Sequence, residues 1–456
     1  MSKLLQQEIP YHQDSSILVN QVANSPWTVF LDSCRPESAY GRYDIIATEP
    51  VATLTTKDQL SQIASQGAIH QSTDDPFQLL RGLLGEPVGN TGPHPFIGGA
   101  MGYFGYDLAR RIERLPALAK DDAQIPDLAV GIYDWAVVVD HKERKTFLIS
   151  AGRDESTHRK WDSLVDIFSN PTEGRQVADL AIEDTPTSNM TRGEYQAAFN
   201  KIQQYITAGD CYQVNLSQRF SVPCRGNMWS VYRKLRKLNP SPYSAFLNLP
   251  FGQILSSSPE RFLELRSDQV ETKPIKGTRP RSPVSQIDRQ NMDELAESKK
   301  DRAENLMIVD LLRNDLGKTC VPGSIQVLKL FDIESFPNVH HLVSTIRGIL
   351  ADNQDALSLL RSAFPGGSIT GAPKLRAMEI IEELEPHRRG VYCGAIGYIG
   401  YDGDMDSNIA IRTFLYKTGI LAYSSGGGIV ADSVADEEYL ETYHKAKGMF
   451  DLLGMA

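Results

Sequence analysis

Gly394-Ala-Ile-Gly-Tyr-Ile399, Ile409-Ala-Ile-Arg-Thr-Phe-Leu-Tyr416 and Ile420-Leu-Ala-Tyr-Ser424 are three short runs rich in apolar, β-branched and aromatic residues, spaced by turn-forming Gly and Asp. Such runs predict strands. A long helical pattern, roughly Asp436 to Leu453, follows them. The same order occurs upstream: strands at Gly252 to Leu255 and Arg261 to Leu265, then helix formers without Gly or Pro from Asn291 to Asn314, which predict one long helix. Strands in groups followed by a helix lack the regular alternation of a doubly wound sheet and predict an α+β fold with antiparallel sheets.

The first half is strand-rich, with β-branched or aromatic runs at Trp27 to Leu31, Tyr43 to Ala47 and Ile132 to Val139. A polar stretch without periodicity, from Ser169 to Asn189, reads as a linker. After it Thr191 caps a helix, Glu194 completes a capping box, Met190 and Tyr195 form a staple, and Gly209 stops it. The expected division is therefore a strand-rich unit over 1–185 and a second unit over 190–456.

Bulk properties narrow the function classes. The chain has 456 residues, 41% hydrophobic, and a net charge of -10 without a basic run, so nothing tracks a phosphate backbone or an anionic membrane. Met1 to Pro10 lacks a signal-peptide core, and runs such as Trp135 to Val139 are too short to span a bilayer, so a cytoplasmic protein without membrane or nucleic-acid partners is expected. Cys34, Cys211, Cys224, Cys320 and Cys393 are scattered and odd in number, so free thiols are expected rather than disulfides or zinc.

Chemistry concentrates in a few segments. Glu271-Thr-Lys-Pro-Ile-Lys-Gly-Thr-Arg-Pro280 reads as a strand running into a turn, and Lys273 and Lys276 are an odd number apart, so they point to opposite faces. Glu297, Asp301 and Glu304 stack at i, i+4, i+7 on the predicted helix, either as a solvated acidic face relieved by Lys300 and Arg302 or as a site for a hard cation such as magnesium. On the last helix, Glu438, Glu441 and Lys445 border an apolar stripe of Tyr439, Tyr443, Ala446, Phe450 and Leu453, as residues lining a cleft do.

Two glycine-bearing loops suit anions. Phe364-Pro-Gly-Gly-Ser-Ile-Thr-Gly-Ala-Pro-Lys374 opens a helix, and its free amides attract carboxylate or phosphate, but Ala372 replaces the lysine of a nucleotide-binding loop. Ser424-Ser-Gly-Gly-Gly-Ile429 reads as a second loop, either a flexible turn or a backbone that lets a small anion approach. Arg412, placed in a predicted strand, calls for a partner, commonly a protein carboxylate, less often a substrate one. His341 fits equally a core residue or an acid or base, and a buried Glu260 can hold a proton near neutral pH.

Together, Ser258-Pro-Glu-Arg-Phe262, Pro274-Ile-Lys-Gly-Thr278, Asp301-Arg-Ala-Glu-Asn305, His341-Leu-Val-Ser344, Gly366-Gly-Ser-Ile-Thr-Gly-Ala-Pro-Lys374 and Gly426-Gly-Gly-Ile-Val430 closely resemble the chorismate-utilising enzymes. That family includes anthranilate, isochorismate, salicylate and aminodeoxychorismate synthases. Asp44-Ile to Glu49-Pro50 and Gly98-Gly-Ala-Met-Gly-Tyr-Phe-Gly-Tyr-Asp107 resemble the members that pair with a glutaminase. Lys276 places the chain beside the aminodeoxychorismate branch, since anthranilate synthases carry alanine there. The alternatives are an anthranilate-forming subunit and a noncatalytic tryptophan sensor, which retention of Glu260, Lys276, Glu304, His341 and Glu441 together disfavours.

The resemblance implies two large antiparallel sheets packed as a sandwich flanked by helices, a chorismate-binding catalytic unit over 190–456, and a tryptophan pocket and partner-facing surface in 1–185. It implies an amino-group transferase acting on chorismate and ammonia, with ammonia coming from a separate glutamine amidotransferase subunit in a heterodimer. No cysteine here stands in a glutaminase setting. Residue by residue, it assigns Lys276 as nucleophile, Glu260 as acid and His341 to the site. Thr370, Gly371, Tyr398, Arg412, Gly426, Gly427 and Lys445 are assigned to chorismate, and Glu304, Glu441 and Glu438 to Mg2+, with Asp301 nearby. Bound L-tryptophan is assigned to Ser33, Tyr40, Gly41, Arg42, Tyr43, Pro242, Tyr243 and Ser244. A lysine with an ordinary pKa is neutral in roughly one molecule in 2,500 at pH 7, so Lys276 is expected to have a depressed pKa.

Overall fold

The computed structural model describes residues 4–38, 41–89, 92–172 and 180–454. Two antiparallel sheets, of thirteen and twelve strands among these residues, form the body. Their inner faces share one core, containing Val29, Ile45, Leu247 and Ile254 from the first sheet and Leu54, Tyr103, Leu263 and Ile396 from the second. Next-door residues Phe30, Ile46, Phe246 and Leu255 enter a separate cluster with Trp229, Tyr232 and Leu235 of helix Met228–Leu238. That is the two-residue period of a strand buried on both faces, which is why these runs are continuously apolar rather than alternating.

Both sheets draw on both halves of the chain. In the first, Thr28–Asp32 pairs with Tyr243–Leu249; in the second, Gly99–Phe104 pairs with Ala395–Gly400. The 1–185 and 190–456 segments are thus interleaved halves of one sandwich, not separate bodies. The stretch read as a linker also joins the first sheet, through Ala181–Ile182 and Thr187–Ser188 paired to Gln213–Arg225.

Several local expectations hold and others change. Thr191 and Glu194 form the full capping box of helix Arg192–Ala208, which ends at Gly209 in the left-handed region. Helix Ala435–Leu452 lays Tyr443 and Phe450 edge-on against Phe220. The predicted helix from Asn291 to Asn314 is two, Ser285–Glu297 and Lys299–Leu316, because Ser298 turns to ψ 109° and its hydroxyl caps Asp301 N. Glu297 therefore leaves the face that carries Asp301 and Glu304. Ile132 to Val139 is not one strand but a bend at Asp134 between Leu128–Tyr133 and Trp135–Asp140. Asp134 holds that bend by accepting from Ser150 Oγ at 3.0 Å and Arg153 N at 2.9 Å.

Two corrections bear on the site. The triple glycine is not a loop: Gly426, Gly427 and Gly428 lie in strand Ile420–Ile429, paired to Ser217, Leu216 and Asn215. Gly426 is required there, since a Cβ would stand 2.4 Å from Leu216 O. Arg412 is not inside a strand either, but sits at φ +51° between Met405–Ile409 and Thr413–Lys417. The five cysteines are free and buried, and among the described residues no helix is long and apolar enough to cross a membrane.

Candidate active site

Strand Ile275–Pro280 lies against Val339–Ile349, with Thr278 opposite His341. Gly277, at φ +85°, lets helix Lys299–Leu316 close over the strand, because a Cβ would stand 2.9 Å from Asp301 and Leu295. The odd spacing of the lysines then takes effect. Lys273 pairs with Glu334 and, with Ile275, lines a cavity between the sheets. Lys276 turns the other way and donates from Nζ to Ser368 O at 2.9 Å.

Burial holds the Lys276 amine below its ordinary pKa, helped by the Lys445 charge and opposed by Glu304, Glu260 and Glu441. Glu260 moves in the opposite direction. Burial pushes it up to about 7, against a hydrogen bond with Ser368 and the Lys276 charge. An amine disposed to lose its proton thus shares a pocket with a carboxyl disposed to keep one. Divergent titration of this kind is what an acid and nucleophile pair requires.

His341 Nδ1 is 2.8 Å from Thr278 Oγ1, while its buried Nε2 has no partner. Burial first, then the Arg412 charge, pull its pKa down to about 3, so it is a neutral imidazole at pH 7. Arg412 is partly buried, and desolvation lowers its pKa with only Tyr423 opposing. The expected protein carboxylate is missing: among the described residues its guanidinium makes no ion pair. A partly desolvated guanidinium without an ion-pair partner is costly and fits an anionic ligand.

The loop Gly366–Gly371 closes the other side. Thr370 Oγ1 donates to Gly366 O at 3.0 Å, and Gly371, at φ +146°, admits Gln213 O to 2.1 Å from where a Cβ would stand. Opposite, Lys445 Nζ donates to Gly426 O at 3.0 Å and pairs with Glu441 at 2.6 Å. A Cβ on Gly427 would stand 3.2 Å from both Glu438 Oε2 and Glu441 Oε1, so both carboxylates converge on bare backbone.

The acidic set has opposed titrations. Burial raises Glu304, and Asp301 and Glu438 add to it; burial also raises Glu438, with Glu441 adding. For Glu441 burial again acts upward, but Lys445 and Lys300 hold it below its ordinary value. Among the described residues no three His, Cys, Asp or Glu side chains form a ready cage. Magnesium, however, usually takes one or two protein carboxylates and fills the rest with water and substrate. Glu304, Glu438 and Glu441 fit it in donor type, and Asp301 is already engaged by Arg279 at 3.2 Å.

Tyr398 is elsewhere. It shares a strand face with Ile396, and both line the inter-sheet cavity, where Arg266 Nη2 donates to its hydroxyl at 2.5 Å. That cavity, about 890 Å³, is also walled by Gly41, Arg42, Tyr43, Pro242, Tyr243 and Ser244. Tyr398 thus belongs with the residues assigned to tryptophan, not with Lys276. Ser33 gives its N–H and hydroxyl to Asp44 at 2.7 Å and packs behind Gly41 rather than on the wall. Tyr40 lies outside the described residues.

Three residues in or beside these segments went unread in the sequence. Ser368 contacts both Lys276 and Glu260. Gln213 is fully buried with neither amide atom paired, though a Cβ on Gly428 would fall 2.3 Å from its Nε2. Tyr392 lies beside Arg389 and Cys393, and Cys393 feels the Glu260 charge. Nothing in their sequence spacing distinguishes these from core residues.

Residues 28–451 match the family described as chorismate binding enzyme. The chain belongs to the chorismate-binding enzyme family. Among relatives of this family, aminodeoxychorismate synthase component 1 of Klebsiella aerogenes is 48% identical, covering 96% of this chain and 96% of its own length. The protein of the same name from Escherichia coli is 47% identical over 95% of each. The solved structure of anthranilate synthase component I from Streptococcus pneumoniae superposes with a TM-score of 0.79 at 33% identity, covering 91% of this chain and 93% of that one. The chorismate-binding fold is thus the two-sheet sandwich expected from the motifs.

Proposed function

We propose that this protein is the chorismate-aminating component of an aminodeoxychorismate synthase, converting chorismate and ammonia to 4-amino-4-deoxychorismate in p-aminobenzoate and folate synthesis. The observation that carries it is Lys276, held by Ser368 O in one pocket with a high-pKa Glu260. The relatives named for that activity and 47–48% identical support it over anthranilate formation.

In this reading the chorismate carboxylates lie against Arg412, Lys445 and the amides around Gly371, Gly426 and Gly427. Neutral Lys276 attacks ring carbon C2; both conjugated ring double bonds shift by one position toward C4, the C4–O bond breaks, and Glu260 gives its proton to the departing hydroxyl, releasing water. The new ammonium returns a proton to Glu260. Ammonia then attacks C4, both double bonds shift back, and the C2–N bond breaks as Glu260 reprotonates the leaving lysine; the new C4 ammonium gives a proton back to Glu260, which closes the cycle. Dividing one substitution into two allylic displacements is the gain from covalent catalysis. His341 stays neutral throughout and is available as a hydrogen-bonding wall. A Mg2+ ion held by Glu304, Glu441 and Glu438 would neutralise substrate carboxylate. Ammonia comes from a separate glutamine amidotransferase subunit. The inter-sheet cavity holds tryptophan as a structural filler.

The test is to add chorismate and magnesium without ammonia and map the protein by intact and peptide mass. A covalent increment on Lys276, absent in Lys276→Ala, is expected; ammonium should then release 4-amino-4-deoxychorismate. Anthranilate as the product, or turnover by Lys276→Ala at the wild-type rate, refutes the proposal.

A further inference from the structure

Arg389 is buried and is not among the residues assigned above to chorismate. Its guanidinium spends its donors on the backbone of two site-forming segments. Nη1 donates to Ile369 O at 3.0 Å and Nη2 to Asn215 O at 3.1 Å. Asn215 passes the constraint on: its N–H donates to Thr370 O at 2.8 Å and its Nδ2 to Ser368 O at 3.1 Å. That carbonyl is the one that receives Lys276. A carbonyl oxygen has two lone pairs. With Asn215 on one, Lys276 is steered to the other.

The clamp is locked from behind. Glu385 accepts Arg389 Nε at 2.9 Å and Nη2 at 2.7 Å, and also takes Ser217 N and Oγ at 2.9 and 2.8 Å. Tyr106, from the first half of the chain, stacks at 4.7 Å from the guanidinium. A buried pair that served only stability would be replaceable by apolar residues. Here the surplus donors are directed at Ile369 O and Asn215 O, the backbone that frames Ser368.

We propose that Arg389, acting through Asn215, is a positioning residue that fixes the Ser368 backbone so that its carbonyl holds Lys276 while its hydroxyl meets Glu260. The proposal rests on the reaction proposed above. Arg389→Lys keeps the charge opposite Glu385 but loses the planar fork that reaches Ile369 O and Asn215 O. Displacing a reacting group by about 1 Å costs on the order of 100-fold in rate, so ammonia-dependent kcat should fall about that far with KM for chorismate unchanged. Asn215→Ala, which leaves the Arg389–Glu385 pair intact, should show the same split even if Arg389→Lys fails to fold. Ser368→Ala, which removes only the hydroxyl, should lower kcat in the wild type but add little in either background, since the hydroxyl is already misplaced.

The full-length protein is assayed with ammonium, chorismate and magnesium, and each variant is normalised to its folded fraction. Unchanged kcat in both variants, a loss seen in KM alone, or a Ser368→Ala effect that adds in full overturns the proposal. The identity of the wild-type product tests the parent reaction separately, because the variant-to-wild-type ratios are read on whichever amino product forms.

Discussion

Replacing Glu260 by Gln should do two things that ordinarily oppose each other: remove catalysis and strengthen the fold at alkaline pH. Glu260 is buried, and its pKa rises from 4.5 to about 7. In the folded protein it therefore binds a proton between those values that the unfolded chain has released. Stability then falls as pH rises across this window, because the native state holds more protons than the unfolded one. The full penalty is present above pH 7 and absent below 4.5. At about 1.4 kcal/mol for each tenfold change in proton affinity, it amounts to about 3 kcal/mol. Gln cannot ionise, so urea denaturation of Glu260→Gln and wild type should give a stability difference that moves in the variant's favour by about 2.5 kcal/mol, most of that amount, between pH 5 and pH 8. The same substitution removes the proton donor for the C4 hydroxyl, a role typically worth 10²- to 10⁴-fold, about 3 to 5 kcal/mol of barrier. In wild type, kcat/KM at constant free ammonia should decline above about pH 7, as the acid form is lost. The variant should show low activity without that limb. A variant that keeps the alkaline limb, or a stability difference that does not change with pH, would refute the assignment of Glu260 as the buried acid.

Gln213→Leu should raise stability by about 1 kcal/mol or more, since a buried amide with neither atom paired gives way to an apolar side chain; kcat with ammonia should fall, and unchanged turnover would show that the amide faces no reactant. Gly427→Ala places a methyl 3.2 Å from Glu438 and Glu441, so the magnesium concentration for half-maximal turnover should rise about tenfold, while a chelator should stop wild-type turnover without unfolding the chain. Calorimetry with L-tryptophan should show uptake that Tyr243→Ala weakens, with little inhibition of turnover; no heat of binding would remove tryptophan from the inter-sheet cavity.

Much of the site was legible because local rules carry it. Lys273 and Lys276 had to diverge, whatever the fold, because strand side chains alternate. Glu438, Glu441 and Lys445 had to share a helix edge, because helical spacing puts i, i+3 and i+7 together. Helix continuity across Ser298 was misread because propensity favours helix there, while a hydroxyl cap on Asp301 N makes a second start. Gly426 to Gly428 resembled a loop because glycine normally weakens a strand. Only the approach of Leu216 O from the paired strand explains why it is needed in one.

Tyr398 shows where local reading ends. Its strand was predicted, and so was its presence in a site, but which side of the sandwich its face addresses depends on pairing with Met101 and Asp406. Gln213, Ser368 and Arg389 have the same status: each acquires meaning from what stands opposite it. By itself, the sequence determined the α+β class, the family, the divergence of Lys273 and Lys276, and the two carboxylate-bearing helices, since these depend on patterns within single segments. The tertiary structure alone decided that the halves interleave in both sheets, that Lys273 pairs with Glu334 at the inter-sheet cavity while Lys276 reaches Ser368 O, and that Arg412 makes no ion pair among the described residues. Those outcomes depend on burial and on partners distant in sequence, and desolvation, which moves Glu260 up and Lys276 down, exists only once the chain has closed around them.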